Sequence, residues 1–389
     1  MALPVKYSIR NVFVRWRSTI ATIGGVGLVV GVWVVMQAMA AGLVAAGGHT
    51  GDPRNLLIVR RGADSESTSQ ITRENLALIQ YAEEIARDAA GQPLISADTL
   101  VVAYLPRDGE AGGGANVIFR GVSPAGPALR PQVQMSEGRW FEPGHREAVV
   151  SRRLAQRFAN MSVGGTIRIG ARELKVVGHF DGHGSAYDSE VWLDADEARA
   201  LFNRENYASL LVRPTDAAAG ERLKTRLEAE KRLVVRVTPE VSYYAEQTKT
   251  ATPIRMAGDW LATLMSVGAI FAAMNTLYAS VGARTREIGT LRVLGYRRRS
   301  VVAAILLEGA CLALVGGALG CLVAFLSFQG YRTGTFNFQT FSESVFAITI
   351  TPMLIVKGLI FSVFVGLIGA LLPALRAARM PVIAALKAA

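Results

Sequence analysis

His179, Asp181, His183 and Asp188 fall within the run GHFDGHGSAYD. Imidazoles and carboxylates this close together are potential metal donors. Their spacing matches no defined zinc motif, and the run is a Gly-rich turn after a strand, where such residues collect for conformational reasons. No metal is expected there. Patterns for other chemistry are missing: the sequence has no HExxH, no GxSxG and no SxxK-type nucleophile set. It also has no GxxxxGK[ST], the loop that cradles nucleotide phosphates. No catalytic residue is expected. What remains is charge in unusual surroundings. Glu308 and Lys357 each interrupt a long run otherwise free of Asp, Glu, Lys and Arg. Charges in such runs are costly and often functional. Glu308 lies nine residues past Arg299, and Lys357 lies near one end of its run, so each also reads as an interface residue that snorkels.

Those runs are the dominant feature of the chain. Of 389 residues, 51% are hydrophobic and 19% charged. A soluble domain carries about 25% charged residues, and single cores stop growing at about 250–300 residues. About 20 apolar residues cross the hydrocarbon core as a helix. Ser18–Gly51 contains no Asp, Glu, Lys or Arg; Trp260–Ala283, Ser300–Phe328 and Thr351–Leu375 are three further apolar runs. The expected spans are 18–46, 259–283, 300–328 and 351–375. The first is too long for a signal h-region of about 7–15 residues, so it is read as a retained helix. Two cysteines, Cys311 and Cys321, exclude a disulfide framework.

The formal charge of +11 is distributed around these spans. Asp52–Arg255 holds 27 basic and 27 acidic residues; the other 15 basic residues (42 − 27) face 4 acidic ones (31 − 27). A nucleic-acid binder would place its charge on a folded domain with a recognisable motif, so no nucleic acid is expected. Basic residues before the first span, in 284–299 and in the tail 376–389 all fall on one side if both termini are cytoplasmic. The loop 329–350 and the region 47–258 are then extracytoplasmic. In residues 1–17, Val5, Ile9, Val12, Phe13 and Trp16 recur at helical spacing with Lys6, Arg10 and Arg17 elsewhere on the wheel. That predicts an amphipathic helix lying in the interface, with a simple basic flank as the other reading.

The region 47–258 is large enough to fold on its own. Strands are expected over Asn55–Arg60, Leu94–Leu105, Asn116–Val122 and Leu233–Val237, and a hairpin turning at Gly170–Ala171 over Gly164–Phe180. Glu147–Ala159 should change from strand to helix. Helices are expected over Thr72–Ala90, Asp194–Asn203 and Ala217–Lys231, with Thr72 and Asp194 as caps. The fold class is therefore an α-helical membrane protein with four transmembrane helices and a large extracytoplasmic α+β domain of two lobes.

Ala283–Ser300 reads ARTREIGTLRVLGYRRRS. It resembles the cytoplasmic loop of MacB/FtsX-like ABC-transporter permeases, close to RTREIGxxRxLG. The next span, ILLEGACLALVGGALGCLVAF, resembles the family in Glu308 and in glycines 316, 317 and 320; the tail LLPALRAARMPVIAALK resembles its PAxRAARxxPxxAL ending. EGRWFEPGHREAVVSRRLAQRF and VGGTIRIGARELKVVGHF resemble its periplasmic core domain more loosely. The resemblance implies a non-catalytic permease of the bacterial inner membrane, with the large domain periplasmic. Two copies would form a homodimer surrounded by membrane lipids and engage two copies of a separate ATPase subunit, which would bind the ATP and Mg. A periplasmic adaptor is a further implied partner, and the substrate class would be hydrophobic, lipid or peptide. The alternative is an FtsX-like regulatory mechanotransducer acting on an extracytoplasmic partner such as a cell-wall hydrolase. A membrane-bound sensor is a second rival.

In such a machine a short cytoplasmic helix couples ATPase motion to the membrane. Ile288, Leu291 and Leu294 recur at spacing three and give an apolar edge; Arg284, Arg286, Glu287 and Arg292 surround it, and Gly295 allows the chain to turn. Arg297–Arg299 read mainly as topology signals, whereas Glu287 and Gly289 have no topological use. Gly27-xxx-Gly31 and Ala38-xxx-Gly42 in the first span, with Gly316, Gly317 and Gly320 in the third, are expected helix-packing positions.

Overall fold

The computed structural model describes residues 16–106, 114–247, 251–337 and 342–381. The amphipathic segment expected at the N-terminus lies, through residue 15, outside them, as does the end of the basic tail. The chain forms two compact units. One comprises the chain to Ala41, Thr252–Tyr331 and the chain from Ile348; the other comprises Gly42–Ala251 and Arg332–Ala347.

The chain opens with α1 (Trp16–Gly48). At 1.5 Å per residue, 33 helical residues reach about 50 Å, well beyond a hydrocarbon core of about 30 Å. Then come β1 (Leu56–Arg60), a 3-10 turn at Glu66–Thr68, α2 (Arg73–Ile79), β2 (Ile95–Pro106), β3 (Gly114–Val122), α3 (Gly126–Leu129) and β4 (Gln134–Gly138). After these come β5 (Glu147–Ser151), α4 (Arg152–Ala155), β6 (Thr166–Ile169), β7 (Arg172–Asp181), a 3-10 turn at Ala186–Ser189, β8 (Glu190–Asp194) and α5 (Ala195–Leu201). The segment between α1 and the next long helix closes with β9 (Ser209–Val212), α6 (Ala217–Ala229), β10 (Val235–Pro239) and α7 (Glu240–Gln247). Three longer helices follow, α8 (Ala251–Ala283), α10 (Arg298–Phe328) and α11 (Pro352–Arg379), with the short α9 (Thr285–Val293) after the first of them. The hairpin β11 (Arg332–Asn337) and β12 (Ser342–Ala347) joins α10 to α11. Four helices are long and apolar enough to cross a membrane.

The larger unit is built on one mixed ten-stranded sheet, ordered β10-β1-β9-β2-β3-β8-β5-β7-β4, with β6 also on β7. Its long strand β2 serves both halves: Ile95–Asp98 pairs with β9 and Thr99–Pro106 pairs with β3. The pairs β3–β8 and β5–β7 are parallel. Local signals place several ends where expected. Thr72 accepts from Asn75 N, Asp194 from Asp196 N and Glu197 N, and Gly170 at φ +60° makes the β6–β7 turn.

Two expectations are corrected. The helix predicted over Thr72–Ala90 stops at Ile79. Beyond it, Ala82 and Ile85 stay buried beside Ile71 and Leu223, but on irregular chain bridged to Pro214. Their spacing marked core positions, and tertiary pairing replaced the last helical turns. The stretch 329–350, expected as a short loop, contains the β11–β12 hairpin.

Candidate coupling site

α9 is fastened to the apolar helices of its own chain at three points. Arg284, just before its first residue, pairs with Glu308 of α10 at 3.1 Å, and Ser280 of α8 donates to the same carboxylate at 3.3 Å. Ile288, 9% exposed, packs with Val281, Val301, Ile305, Ala374 and Ala377 from α8, α10 and α11. Arg292 donates to the Ala378 carbonyl at 2.7 Å, capping the last turn of α11. Gly295 then turns the chain at φ +89°, a conformation open to glycine, before Arg297 leads into α10.

This divides the apolar edge read from sequence. Ile288 and Gly289 are buried inside the chain and Leu291 is half-buried, whereas Leu294 is 71% exposed. Arg286, Glu287 and Gly295 are exposed as well. Val293, 60% exposed and absent from the sequence-based set, lies next to Leu294. The outward face is thus Arg286, Glu287, Val293 and Leu294. Its spacing signal was masked because every third residue of the edge turns about the helix and into the chain.

The two charges within the long apolar helices differ in their surroundings. Glu308 is a partner of the α9 segment, as above. Lys357 is exposed on α11 and makes no ion pair among the described residues. The glycines come together as a backbone contact between α1 and α10. A Cβ on Gly27 would lie 2.9 Å from the Gly316 carbonyl oxygen, and one on Gly31 would lie 3.2 Å from that of Gly320. Gly317 sits against Ser362 of α11 instead. Ala38 is buried, and Gly42 abuts Phe346 and Ala347 of the hairpin rather than another helix.

The His/Asp turn is held by its own chain. Asp188 accepts from Gly182 N and Gly184 N, both at 2.8 Å, and pairs with Arg153 at 3.1 Å. Burial raises its carboxyl above the usual range, against the Arg153 charge. His179 Nε2 donates to the Met161 carbonyl and His183 Nδ1 to that of Gln132. Among the described residues, no three His, Cys, Asp or Glu converge as metal donors.

Sequence reasoning missed a buried ionic network in the larger unit. Ser209, Asp98, Arg120 and Glu190 lie on the adjacent strands β9, β2, β3 and β8. Arg120 pairs with Glu190 at 2.7 Å, Glu66 at 3.0 Å and Asp98 at 3.3 Å. Arg130 pairs with Asp98, and its Nε donates to the Tyr187 hydroxyl, which in turn donates to Glu240 at 2.7 Å. Glu240 also receives Asp52 N and Asn55 Nδ2, both at 2.8 Å. Carboxylates outnumber guanidiniums here, and neutral donors hold the excess: Ser209 on Glu66, Trp192 on Glu190, Asn55 on Glu240. Burial pushes the Glu66 carboxyl up, but the Arg120 charge and hydrogen bonds outweigh it and hold the group below its ordinary range. Burial likewise pushes the Tyr187 hydroxyl far up, with Glu240 adding to it. The available signal was a single charge inside each of three apolar strand runs.

Residues 19–230 match the model of the MacB-like periplasmic core domain, and residues 260–382 match that of the FtsX-like permease C-terminal region. The chain belongs to the MacB/FtsX-like ABC-transporter permeases. The second match takes in α9, Glu308 and the α10 glycines. A macrolide export ATP-binding/permease protein MacB of Hahella chejuensis is 29% identical over 236 residues, covering 58% of this chain and 35% of that protein. An ABC transporter permease of Methanocaldococcus jannaschii is 26% identical over 260 residues, 63% of each chain. The solved periplasmic region of MacB from Actinobacillus actinomycetemcomitans is 12% identical with a TM-score of 0.38, covering 53% of this chain and 94% of that one. The chain thus spans less than two thirds of the length of these full-length MacB/FtsX-like relatives.

Proposed function

We infer that this permease transmits ATP-driven motion of a separate ATPase subunit, which carries the ATP and Mg, to its periplasmic domain. The work done is export or extraction of a hydrophobic, lipid or peptide substrate. The carrying observation is α9, tied to three apolar helices by Arg284–Glu308, Ile288 and Arg292–Ala378 while Arg286, Glu287, Val293 and Leu294 stay outward. A segment fastened in this way moves with the helices when pushed. Two permease copies and two ATPase subunits make the working unit, with a periplasmic adaptor on the outer domain. The division of the outer sheet at β2 supports a two-lobed reading of that domain. Both termini are cytoplasmic in this reading, and the protein sits in the bacterial inner membrane. The regulatory mechanotransducer reading uses the same α9 and differs in having no transported substrate.

Truncating a well-packed anchor costs about 2 kcal/mol or more, roughly thirty-fold in association. Leu294→Ala and Glu287→Ala should therefore leave an inserted, folded permease that co-purifies poorly with its ATPase and stimulates it weakly. Arg298→Ala should couple normally. Pull-down and ATPase rate in one nanodisc preparation measure both. Loss of coupling in Arg298→Ala with normal Leu294→Ala and Glu287→Ala would place the docking face elsewhere.

Orientation has its own check. With Cys311 and Cys321 replaced, cysteines at the exposed positions Ser162 and Ala171 should react with an impermeant thiol reagent in spheroplasts, and one at Arg298 should react only after lysis. Labelling of the Arg298 site from outside would reverse the topology.

A further inference from the structure

α8 carries a face that its own chain leaves uncovered. Leu261, Gly268, Asn275 and Gly282 are spaced seven apart, and Leu264 and Phe271 fall between them at alternating intervals of three and four. Leu264 and Phe271 are 68% and 63% exposed, and Leu261 is 40% exposed. A Cβ added at Gly268 or Gly282 would meet nothing within 4 Å. This is a heptad seam, the pattern of a helix packed against a partner helix over several turns. Asn275 stands in the middle of it, exposed, with no side-chain hydrogen bond to a described residue. It lies eight residues from the end of α8, about 12 Å of helix.

An apolar face by itself is content in lipid; a carboxamide is not. Acyl chains offer it neither donor nor acceptor, and small-residue seams with interhelical amide hydrogen bonds are what cover such positions. Copies inserted in the same membrane share one orientation, so a two-fold axis along the membrane normal brings α8 of each alongside the other in parallel. That symmetry sets Asn275 opposite Asn275. A carboxamide has both donor and acceptor and is complementary to itself. In a parallel heptad pair a single buried Asn also fixes register and two-strandedness. We propose that the Leu261–Gly282 face of α8 is the seam between two copies of this chain, registered by an Asn275–Asn275 hydrogen-bonded pair, with Gly268 and Gly282 allowing close approach. The proposal rests on the homodimer reading above and names its contact.

The test uses the full-length chain in native membranes with Cys311 and Cys321 replaced by Ala. Single cysteines at Leu264, Phe271 and Asn275 should form disulfide-linked dimers under mild oxidation, whereas cysteines at Ala269 and Ala273, on the buried side of α8, should not. Separately, a dimer captured through two different tags should weaken about five- to thirty-fold on Asn275→Leu and be largely kept in Asn275→Gln, the range expected for an interhelical polar contact of about 1–2 kcal/mol. Tag capture without any crosslink at the three seam positions would retain the homodimer and overturn the seam. Equal dimerisation of Asn275→Leu and the parent would overturn the registering role. No tag capture at all, in a permease that still binds its ATPase, would remove the homodimer reading itself.

Discussion

Arg120→Met should destabilise the outer domain by about 3–5 kcal/mol, the penalty of removing one partner from a buried ion pair. Arg120 is 1% exposed and holds Glu66, Asp98 and Glu190 at once, so its loss leaves Glu66 and Glu190 facing each other in the core without a guanidinium and Asp98 with Arg130 alone. At about 2–4 °C per kcal/mol for a domain of this size, the melting temperature falls by about 10 °C. Trp192 reports the change directly, because its indole donates to Glu190 and stacks near Trp140 and Phe180. Near-ultraviolet circular dichroism of the full chain in detergent follows it. Combining Arg120→Met with Glu66→Leu and Glu190→Met should restore much of the loss, since an apolar replacement of the whole set carries no unpaired charge. A shift under 1 kcal/mol for the single variant would show the network to be solvated. Acid should act through the same group. The folded-state carboxyl of Glu66 is depressed, so its stabilisation is present above its ordinary value of 4.5 and is lost as pH falls below it.

Gly320→Val should be the most damaging single change among the apolar helices. Its new Cβ would fall on the Gly27 backbone of α1, and backbone cannot move aside as a side chain can. Overpacking costs about 1–3 kcal/mol when side chains can adjust; here the two helices must part, so the effect belongs at the top of that range or above it. Gly24→Val and Gly25→Val supply the comparison, because a Cβ at either meets nothing within 4 Å. The measurement is the monodisperse fraction and thermal midpoint in mild detergent. If Gly320→Val matches Gly24→Val, α1 and α10 do not touch at these glycines.

The parts legible from sequence were those whose physics is local. Apolar runs of more than 20 residues, two of them charge-free and two broken only by Glu308 and Lys357, announced the four long helices, and side-chain caps such as Thr72 and Asp194 marked helix starts. Strand alternation found β1, β2, β3 and the β6–β7 hairpin. What stayed hidden was partnership across the chain. Arg120 in NVIFRGV, Glu190 in SEVWL and Asp98 in ISADTL each look like a lone charge in an apolar strand, and only the strand order brings them side by side. Ile288 was legible as apolar but not as inward-facing, because α9 is too short for its own periodicity to reveal which neighbours cover it. The α2 region failed for a related reason: buried apolar spacing is common to helices and to irregular chain pinned by a bridge.

The sheet order also sets a timetable. β1 lies between β9 and β10, with Leu56 opposite both Val212 and Pro239. Nearly 180 residues separate the first strand from its outer partner. At synthesis rates of about 5–20 residues per second, β1 waits about 10–40 s with its outer hydrogen-bonding edge unpaired. Such non-local pairing makes folding slow and leaves strand edges open to wrong partners. β1 follows α1, so this waiting strand emerges tethered beside the first long apolar helix. The ten-stranded sheet can close only when the ribosome has passed Pro239, 12 residues before α8 begins at Ala251.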